Sequence, residues 1–297
     1  MTAASGLSSA ADPLLGPLGP RNAARVASTA VAALVAELET WPKPGLVSHV
    51  DSGSHSDMTA ATFRTSAAAI EPFFAELVLA GAAGAPMNGL RAIGIAAEQA
   101  MLAATGGVNT HRGAIFGLGL LCAAAGAACD DPGHNAPDWR PGALCRTVRT
   151  RWGRSIVRGP IPPRSHGGDA LRQYGAGGAR AQAAAGFPQA RDIGLPALRL
   201  GRAQAPGDPE AARVQAFFAL LACTEDTNLL HRGGANGLHY AQEAAAGFLA
   251  SGGIAQPDWR KAATNIHHAF VDRRLSPGGC ADLLAITLFL DALENQP

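Results

Sequence analysis

The chain has 297 residues, of which 47% are hydrophobic and 16% charged, and its formal net charge is +1. This length and hydrophobicity are enough to bury one large core or two modest ones. Because the charges nearly balance, the chain has no overall field that would attract nucleic acid or an anionic membrane, and basic residues with a function must act locally.

Cysteine usage and the N-terminus point to the same compartment. Five cysteines are scattered along the chain without a Cys-x-x-Cys pair, which argues against a disulfide framework or a thiolate zinc site and fits a reducing cytoplasm. Residues 1–20 have no basic segment followed by an apolar core, so we expect a flexible tail there rather than a signal peptide. The longest uncharged run, residues 113–129, is mostly Ala and Gly and is better explained by a buried helix than by a membrane span. We therefore predict a soluble cytoplasmic protein.

Apolar residues recur at helical spacing along most of the chain. No segment alternates Val, Ile and Thr for more than a few residues, and straight-chain helix formers outnumber β-branched residues. We therefore predict an all-α fold, a single-domain bundle of roughly nine or ten helices over residues 21–297, behind the tail of residues 1–20. The predicted helices span residues 22–40, 59–83, 87–104, 110–128, 142–156, 179–185, 210–231, 235–250, 257–273 and 280–293.

Turn-rich segments separate these helices, at residues 43–58, 130–141, 159–178 and 201–209. In an all-helical protein, we expect the chemistry to come from such segments. The predicted helix 142–156 carries four arginines without acidic company, and we interpret them as a solvated face: Arg146, Arg149, Arg151 and Arg154.

The segment 43–58 combines a cation, hydroxyls, imidazoles and carboxylates. Lys43, Ser54 and His55 are candidate substrate ligands. Asp57 has two interpretations that the sequence leaves open. It either caps the following helix by accepting its free amide hydrogens, or it ligates magnesium or accepts a proton.

The segment Asn109–Gly113 stands at the predicted start of the central helix. Free amides and the positive end of the helix dipole favour an anion at such a position. Arg112 adds a planar guanidinium suited to phosphate oxygens, His111 is a candidate catalytic group, and Asn109 is a candidate ligand. The alternative is ordinary helix capping by Asn109 or Thr110.

The segment 174–180 offers a third group of candidates. Its consecutive glycines can turn their amides toward one anion, with Tyr174 and Arg180 beside them as substrate ligands. No Gly-Lys-Ser/Thr sequence follows, so this is not a Walker loop. A plain flexible loop is the alternative.

The fourth segment, Asp226–Gly234, follows a long apolar run. On an ideal helix, Asn228 and His231 would continue the apolar face, whereas Asp226 would fall on the opposite side. Unpaired polar groups in a core cost roughly 1–3 kcal/mol each, so these residues either have partners or bind a ligand. The alternative is a helix C-terminus, with Arg232 in its last turn and Gly233 as its stop.

Two Asn…His-Arg-Gly segments at helix ends are more specific than either alone. Together with Lys43 and Arg180 they suit a polyphosphate that carries several negative charges. Asp57 and Asp226 would then hold Mg²⁺, which prefers oxygen ligands and usually bridges to substrate phosphates. We expect all four segments to converge on one cationic pocket lined by carboxylates.

The same residues resemble, in order, the signatures of the triphosphoribosyl-dephospho-CoA synthase family. The similarity extends from about residue 24 to the C-terminus, and the stretches 51–55 and 164–166 are most similar to the malonate decarboxylase-associated branch. The matching segments are Lys43–Val47, Gly53–Met58, Asn109–Phe116, Tyr174–Arg180 and Asp226–Gly234.

The resemblance implies an all-helical transferase that joins the triphosphoribosyl part of ATP to 3′-dephospho-CoA and releases adenine. Its product would be the prosthetic-group precursor of an acyl carrier subunit, so a prosthetic-group transferase or that subunit is an expected partner. The family's polar site maps onto Asp57, His111, Arg112, Arg180, Asp226, His231 and Arg232.

As a hypothesis, Asp226 or Asp57 accepts the proton of the attacking hydroxyl, because carboxylates serve oxocarbenium-like centres. His231 or His111 would protonate the departing purine or bind phosphate, and the residues leave this choice open. The basic groups and Mg²⁺ would hold the triphosphate, whose binding energy can orient the reacting carbon.

Two positions depart from the family pattern. Thr59 stands where a second Asp commonly follows Asp-Met, and Gln182 stands where Glu is common, so each position loses a carboxylate. Two other functions therefore stay open. One is a magnesium-dependent nucleotide glycohydrolase or phosphohydrolase, and the other is a catalytically weak nucleotide-binding protein.

Overall fold

The computed structural model describes residues 20–129, 137–161 and 166–295. Within these ranges the fold contains thirteen α-helices and no strand, which confirms the predicted all-α class with a few more helices than expected. They are α1 Pro20–Leu38, α2 Ala60–Ala82, α3 Met87–Ala104, α4 Arg112–Cys129, α5 Pro141–Thr147, α6 Gly153–Arg158, α7 His166–Tyr174, α8 Gly178–Ala184, α9 Leu195–Gln204, α10 Pro209–Cys223, α11 Thr227–Ala250, α12 Trp259–Asp272 and α13 Gly278–Glu294.

The central helix α4 is buried along nearly its whole length. It packs against α2 with almost no side chain between the two backbones. A Cβ on Gly126 of α4 would overlap the carbonyl oxygen of Val78, and a Cβ on Gly81 of α2 would overlap that of Ala123. Glycine is therefore required at these two positions for the backbones to approach so closely.

Two helices, α2 and α4, have the length and composition of a membrane span. The apolar window of α4 is 78% buried inside the protein, as expected for a core helix, and that of α2 is 39% buried. The predicted buried helix over residues 113–129 is thus confirmed.

One cluster of buried hydrophobic side chains extends from Ala23 on α1 to Leu293 on α13. Helices α1 and α13, the first and last of the described chain, pack against each other. The division into a tail and a single catalytic domain stays a prediction, because residues 1–19 lie outside the described residues, as does most of the predicted loop 130–141.

The predicted helix over residues 210–231 is wrong. Helix α10 ends at Cys223, Thr224 has an extended backbone, and Asp226 caps the start of α11. His231 and Arg232 therefore lie near the start of α11 rather than in a last turn, so the C-terminal interpretation is also wrong. Gly233 does not end the helix, although Gly234 kinks it with a φ of 62°.

Two predicted loops also contain helix. Helix α7 lies within the predicted loop 159–178, and α9 extends to Gln204, inside the predicted loop 201–209. Helices α5 and α6 are joined by a π-helical turn, Val148–Trp152. The four arginines of this region are exposed, which confirms the solvated face.

Candidate functional site

The predicted segments meet at a stretch that the sequence analysis did not single out. Residues 275–282, which comprise the end of the α12–α13 connection and the first five residues of α13, are called here the junction. Ser54 Oγ donates to the carbonyl oxygen of Leu275 at 2.6 Å, and His55 Nε2 lies 2.8 Å from Ser276 Oγ. The junction also binds Asp226, because the amide of Cys280 donates to its Oδ2 at 2.8 Å. Segments 43–58 and 226–234 are thus brought together.

Asp226 joins the N-termini of two helices. Its Oδ1 accepts hydrogen bonds from the amides of Asn228 at 2.8 Å and Leu229 at 3.2 Å, while its Oδ2 faces the start of α13. Burial raises the pKa of Asp226, and the three amides act in the opposite direction. A Cβ on Gly279 would lie 3.0 Å from Oδ2, so the absence of a side chain there makes room for the carboxylate.

Asn228 lies against the same turn. A Cβ on Gly278 would lie 2.8 Å from its Nδ2. The glycine pair at residues 278–279 therefore makes room for the side chains of Asp226 and Asn228. His231, one turn further along α11, is exposed.

Asp282, the fifth residue of α13, is a carboxyl that sequence reasoning missed. It accepts a hydrogen bond from the amide of Ala114, and a Cβ on Gly113 would overlap its Oδ2. The absence of a side chain at Gly113 in the second segment thus has a steric reason. Burial raises the pKa of Asp282 well above its usual range, and the neighbouring carboxylates Glu37 and Asp226 raise it further.

Lys43 is fully buried and forms an ion pair with Glu37, a second residue that the sequence did not reveal. Burial raises the pKa of Glu37 and lowers that of Lys43, and the attraction between the two groups opposes both changes. The predicted phosphate ligand therefore already has an anionic partner inside the protein.

His111 is also buried, with a polar partner on α2. Its Nδ1 lies 2.7 Å from Ser66 Oγ, and its ring meets the ring of Phe63 edge-on at a centroid distance of 4.9 Å. Burial lowers the pKa of His111 to about 3, and the positive charge of Lys43 contributes in the same direction. The imidazole is therefore neutral at neutral pH.

Exposed polar side chains surround His55. One Nη of Arg232 lies 3.3 Å from His55 Nδ1, and the other donates to the carbonyl oxygens of Arg274 at 3.1 Å and Ser54 at 3.2 Å. Asp57 Oδ1 lies 3.7 Å from the same Nδ1, and its side chain is 61% exposed. Burial and the charge of Arg232 lower the pKa of His55, whereas Asp57 raises it.

Asp57 does not cap α2, so that alternative is wrong. The cap is Thr59, which forms a reciprocal capping box with Thr62. The first departure from the family pattern thus has a structural role. So has the second, since Gln182 Oε1 accepts a hydrogen bond from the amide of Gln189 at 3.4 Å.

The side chains of Arg112 and Asn109 form hydrogen bonds with nearby residues. Asn109 Oδ1 accepts from the amide of Arg112 at 3.2 Å, which is the ordinary capping arrangement. Arg112 Nε donates to Glu98 Oε2 on α3 at 2.9 Å. Neither contact is directed at the junction.

Arg180 is held by main-chain carbonyls. Its guanidinium donates to the oxygens of Ile156 at 2.5 Å, Pro160 at 2.6 Å and Gly159 at 2.8 Å, beyond the end of α6. Burial lowers the pKa of Arg180, and the charge of Arg91 acts in the same direction. This arginine stabilises a helix end.

The glycine segment nevertheless reaches the fourth segment. A Cβ on Gly178 would lie 2.9 Å from Thr227 Cγ2, and one on Gly234 would lie 3.5 Å from the hydroxyl of Tyr174. Three of the four predicted segments are therefore linked by direct contacts, at the junction and along α11. The second segment is linked to the junction through Asp282.

A further buried residue fixes the first segment. His267 Nδ1 lies 2.9 Å from the carbonyl oxygen of Lys43, and its Nε2 lies 3.2 Å from Asp51 Oδ2. Because no helical period relates these positions, this contact could not be predicted from the sequence. In the part of the chain that the structure describes, no group of three His, Cys, Asp or Glu side chains is arranged to hold a metal ion.

Comparison with known proteins gives consistent matches. A family model described as ATP:dephospho-CoA triphosphoribosyl transferase (CitG) matches residues 23–297. A probable 2-(5″-triphosphoribosyl)-3′-dephosphocoenzyme-A synthase of Azotobacter vinelandii is 41% identical over 280 residues, which cover 93% of each chain. The synthase of Klebsiella pneumoniae is 39% identical over 286 residues, or 92% of each chain. No solved structure gives a significant match.

Proposed function

The chain belongs to the ATP:dephospho-CoA triphosphoribosyl transferase (CitG) family, a family of transferases that use ATP, and from this premise we propose its reaction in full. The triphosphoribosyl part of ATP is joined to 3′-dephospho-CoA, adenine is released, and 2′-(5-triphosphoribosyl)-3′-dephospho-CoA is formed. The observation that carries this proposal is the match over residues 23–297. Its support in the fold is that the segments carrying the resemblance contact one another around the junction.

We assign the triphosphate to the exposed side of this region. Arg232 offers a guanidinium whose contacts to two carbonyl oxygens and His55 are 3.1–3.3 Å long, so an anion can compete for it. A guanidinium suits phosphate oxygens because its donors form a planar fork. His231 and Tyr174 are exposed on the same part of the structure and are the other candidate ligands there.

Magnesium is proposed to arrive with ATP rather than to occupy a preformed site. Mg²⁺ is commonly held by one or two carboxylates together with substrate phosphates, and Asp57 is the exposed carboxylate beside Arg232 and His55. Asp226 suits this role less well, since both of its oxygens already accept amide hydrogens. When bound, the ion would neutralise phosphate charge.

The proton of the attacking hydroxyl needs an acceptor on the protein. Of the two carboxylates with this proposed role, Asp57 is the better placed, because its side chain is exposed whereas Asp226 is buried and bonded to three amides. Removing the proton by a positioned carboxylate typically accelerates such a step by about 10²–10⁴-fold. Apolar helices below the junction would keep water from the reacting carbon.

We place the enzyme in the cytoplasm and in the malonate decarboxylase-associated branch. The branch assignment is supported by the sequence 51–55 and by the Arg-Ser-His stretch 164–166. The product would then pass to a prosthetic-group transferase and on to the acyl carrier subunit of a malonate decarboxylase. Transfer of the product to that subunit, compared with an acyl carrier subunit of another complex, tests this assignment.

The reaction is tested with purified protein, Mg²⁺, ATP and 3′-dephospho-CoA, by mass spectrometric detection of adenine and a heavier CoA product. Equal adenine release without dephospho-CoA would favour a nucleotide glycohydrolase. Tight ATP binding without turnover would favour a nucleotide-binding protein, especially if Thr59→Asp combined with Gln182→Glu created activity.

A further inference from the structure

A cavity of about 380 Å³ opens between α5, α9 and the C-terminal end of α13. Pockets for small molecules commonly have volumes of about 300–1,000 Å³. The charged side chains of its walls are four arginines and one glutamate, namely Arg140, Arg146, Arg191, Arg199 and Glu294. We propose that this cavity binds the diphosphate group of a small phosphorylated molecule, as a second anion site that is independent of the transferase reaction.

The cavity lies far from the junction. Helix α13 has 17 residues, so its ends are about 25 Å apart at 1.5 Å per residue. Its first residue, Gly278, belongs to the junction, whereas its last residue, Glu294, lines the cavity. A triphosphate bound by Arg232 beside the junction is much shorter than this separation. The two anion sites are therefore distinct.

Arg146 gives the cavity a cation without an acidic partner. It is exposed in the last turn of α5, and within the described ranges no carboxylate forms an ion pair with it. The other three arginines each pair with one carboxylate, in the pairs Arg140–Asp138, Arg191–Asp192 and Arg199–Glu294. The walls thus carry one more guanidinium than the carboxylates around them can neutralise.

The three ion pairs can give way to a ligand. The side chains of Arg140 and Arg199 are 76% and 54% exposed, and ion pairs on the surface are weak. A carboxylate ligand would only replace one carboxylate by another. A diphosphate carries more charge and can bridge two guanidiniums, whose planar forks match phosphate oxygens. The cavity therefore favours phosphate over carboxylate.

Two π-helical turns position the arginines. Arg191 lies in the turn Ala190–Gly194, and the turn between α5 and α6 begins two residues after Arg146. Turns of this kind are rare and are frequently found at functional sites. Gly194 lets the first turn pack closely on α13, because a Cβ there would lie 2.3 Å from Thr287 Oγ1. The backbone that carries Arg191 is therefore held against the core.

Protection from phenylglyoxal, which modifies exposed arginines, tests the site in the wild-type protein. With inorganic pyrophosphate at ten times its Kd, modification of Arg146 and Arg191 should slow by about tenfold. Modification of Arg151, which is exposed but does not line the cavity, should be unchanged. Mass spectrometry of the peptides measures each arginine separately, so any protection of Arg232 is recorded independently. The buffer contains 0.15 M salt, which screens distant surface charges, and no Mg²⁺.

Calorimetric titration with pyrophosphate provides the second measurement. Arg146→Gln combined with Arg191→Gln should raise the Kd of this site by at least about tenfold, because charge-assisted hydrogen bonds are lost. The matched control is Arg151→Gln combined with Arg154→Gln, which removes the same charge from exposed positions outside the cavity. Its Kd should stay within about twofold of the wild-type value. Arg232→Met should also retain binding in the cavity.

Protection of Arg151 equal to that of Arg146, or an unchanged Kd in the cavity variant, would overturn the proposal. Equally tight binding of citrate, which carries comparable charge on carboxylates, would overturn it too, since the cavity would then have no preference for phosphate. Neither measurement uses dephospho-CoA or requires turnover. A failure of the transferase reaction and a failure of this second site are therefore distinguished.

Discussion

The ammonium of Lys43 and the carboxylate of Glu37 form an ion pair inside the hydrophobic core, six residues apart in the chain. Lys43 was predicted to bind phosphate, because it stands in a family segment. Its burial instead places it beneath the site, where its charge acts on His111 and compensates Glu37. Its position suggests that it supports the site without contacting the substrate.

Glu37→Gln should therefore destabilise the fold. Breaking a buried pair leaves an uncompensated charge, which costs about 3–5 kcal/mol in the free energy of unfolding. Urea denaturation measures this cost. Glu39→Gln is the control, because Glu39 pairs with Arg64 on the surface at 3.3 Å and such pairs contribute about 0–1 kcal/mol. Equal losses in the two variants would refute the proposed importance of the buried pair.

Gly113→Ala should displace Asp282. The added methyl group would overlap Oδ2, and overpacking of this kind typically costs about 1–3 kcal/mol. Transferase activity should fall as well, because Gly113 belongs to a family segment and Asp282 to the junction that other family segments contact. Gly94→Ala on α3 meets nothing within 4 Å and should stabilise the protein by about 0.5–1 kcal/mol through helix propensity alone. Thermal unfolding and adenine release compare the two, and a neutral Gly113→Ala would argue against the position assigned to Asp282.

The helical class and the four polar segments could be predicted because periodicity and local residue types are properties of continuous sequence. Glu37 and Asp282 could not, since each becomes meaningful only when helices distant in the chain pack together. The break at residues 224–226 was missed because the apolar face of α10 continues into α11 on an ideal helix. The position of Asp226 on the wrong side of that helix was the one signal of a distortion.

The partners of the arginine side chains could not be predicted from the sequence either. A sequence shows that Arg112 and Arg180 carry charge, but not that Glu98 lies on the neighbouring helix or that a helix end offers its carbonyl oxygens.

Arg180→Gln should lower the melting temperature, because three short hydrogen bonds to the segment 156–160 are lost. Arg158→Gln, exposed on α6, is the control. A rise in KM for ATP without a change in melting temperature would restore the phosphate-binding role of Arg180.

Arg232 and Asp57 should change the titration of His55 in opposite directions. The positive charge of Arg232 lowers the pKa of His55, so Arg232→Met should raise it. Asp57 raises that pKa, so Asp57→Asn should lower it. Titration of the His55 ring followed by NMR measures both changes. If the two variants moved the pKa in the same direction, the arrangement around His55 would be incorrect.

His111 should make the protein less stable in mild acid. Its pKa in the folded state is lowered to about 3 by burial, whereas an unfolded histidine titrates near its ordinary value of about 6.5. Above that value both states are neutral and the stability is fully present. As the pH falls below it, His111 takes up a proton in the unfolded state but stays neutral in the folded state, so the free energy of unfolding should decrease by about 2 kcal/mol at pH 5.

His111→Asn, which can still bond to Ser66, should lose less stability between pH 7 and pH 5, as urea denaturation at the two pH values would show. Asp282 and Glu37, whose pKa values are raised, act in the opposite direction, so the informative quantity is the difference between variant and wild type. His239→Gln, exposed on α11, should keep the wild-type dependence, and parallel curves for His111→Asn and wild type would exclude a buried neutral imidazole.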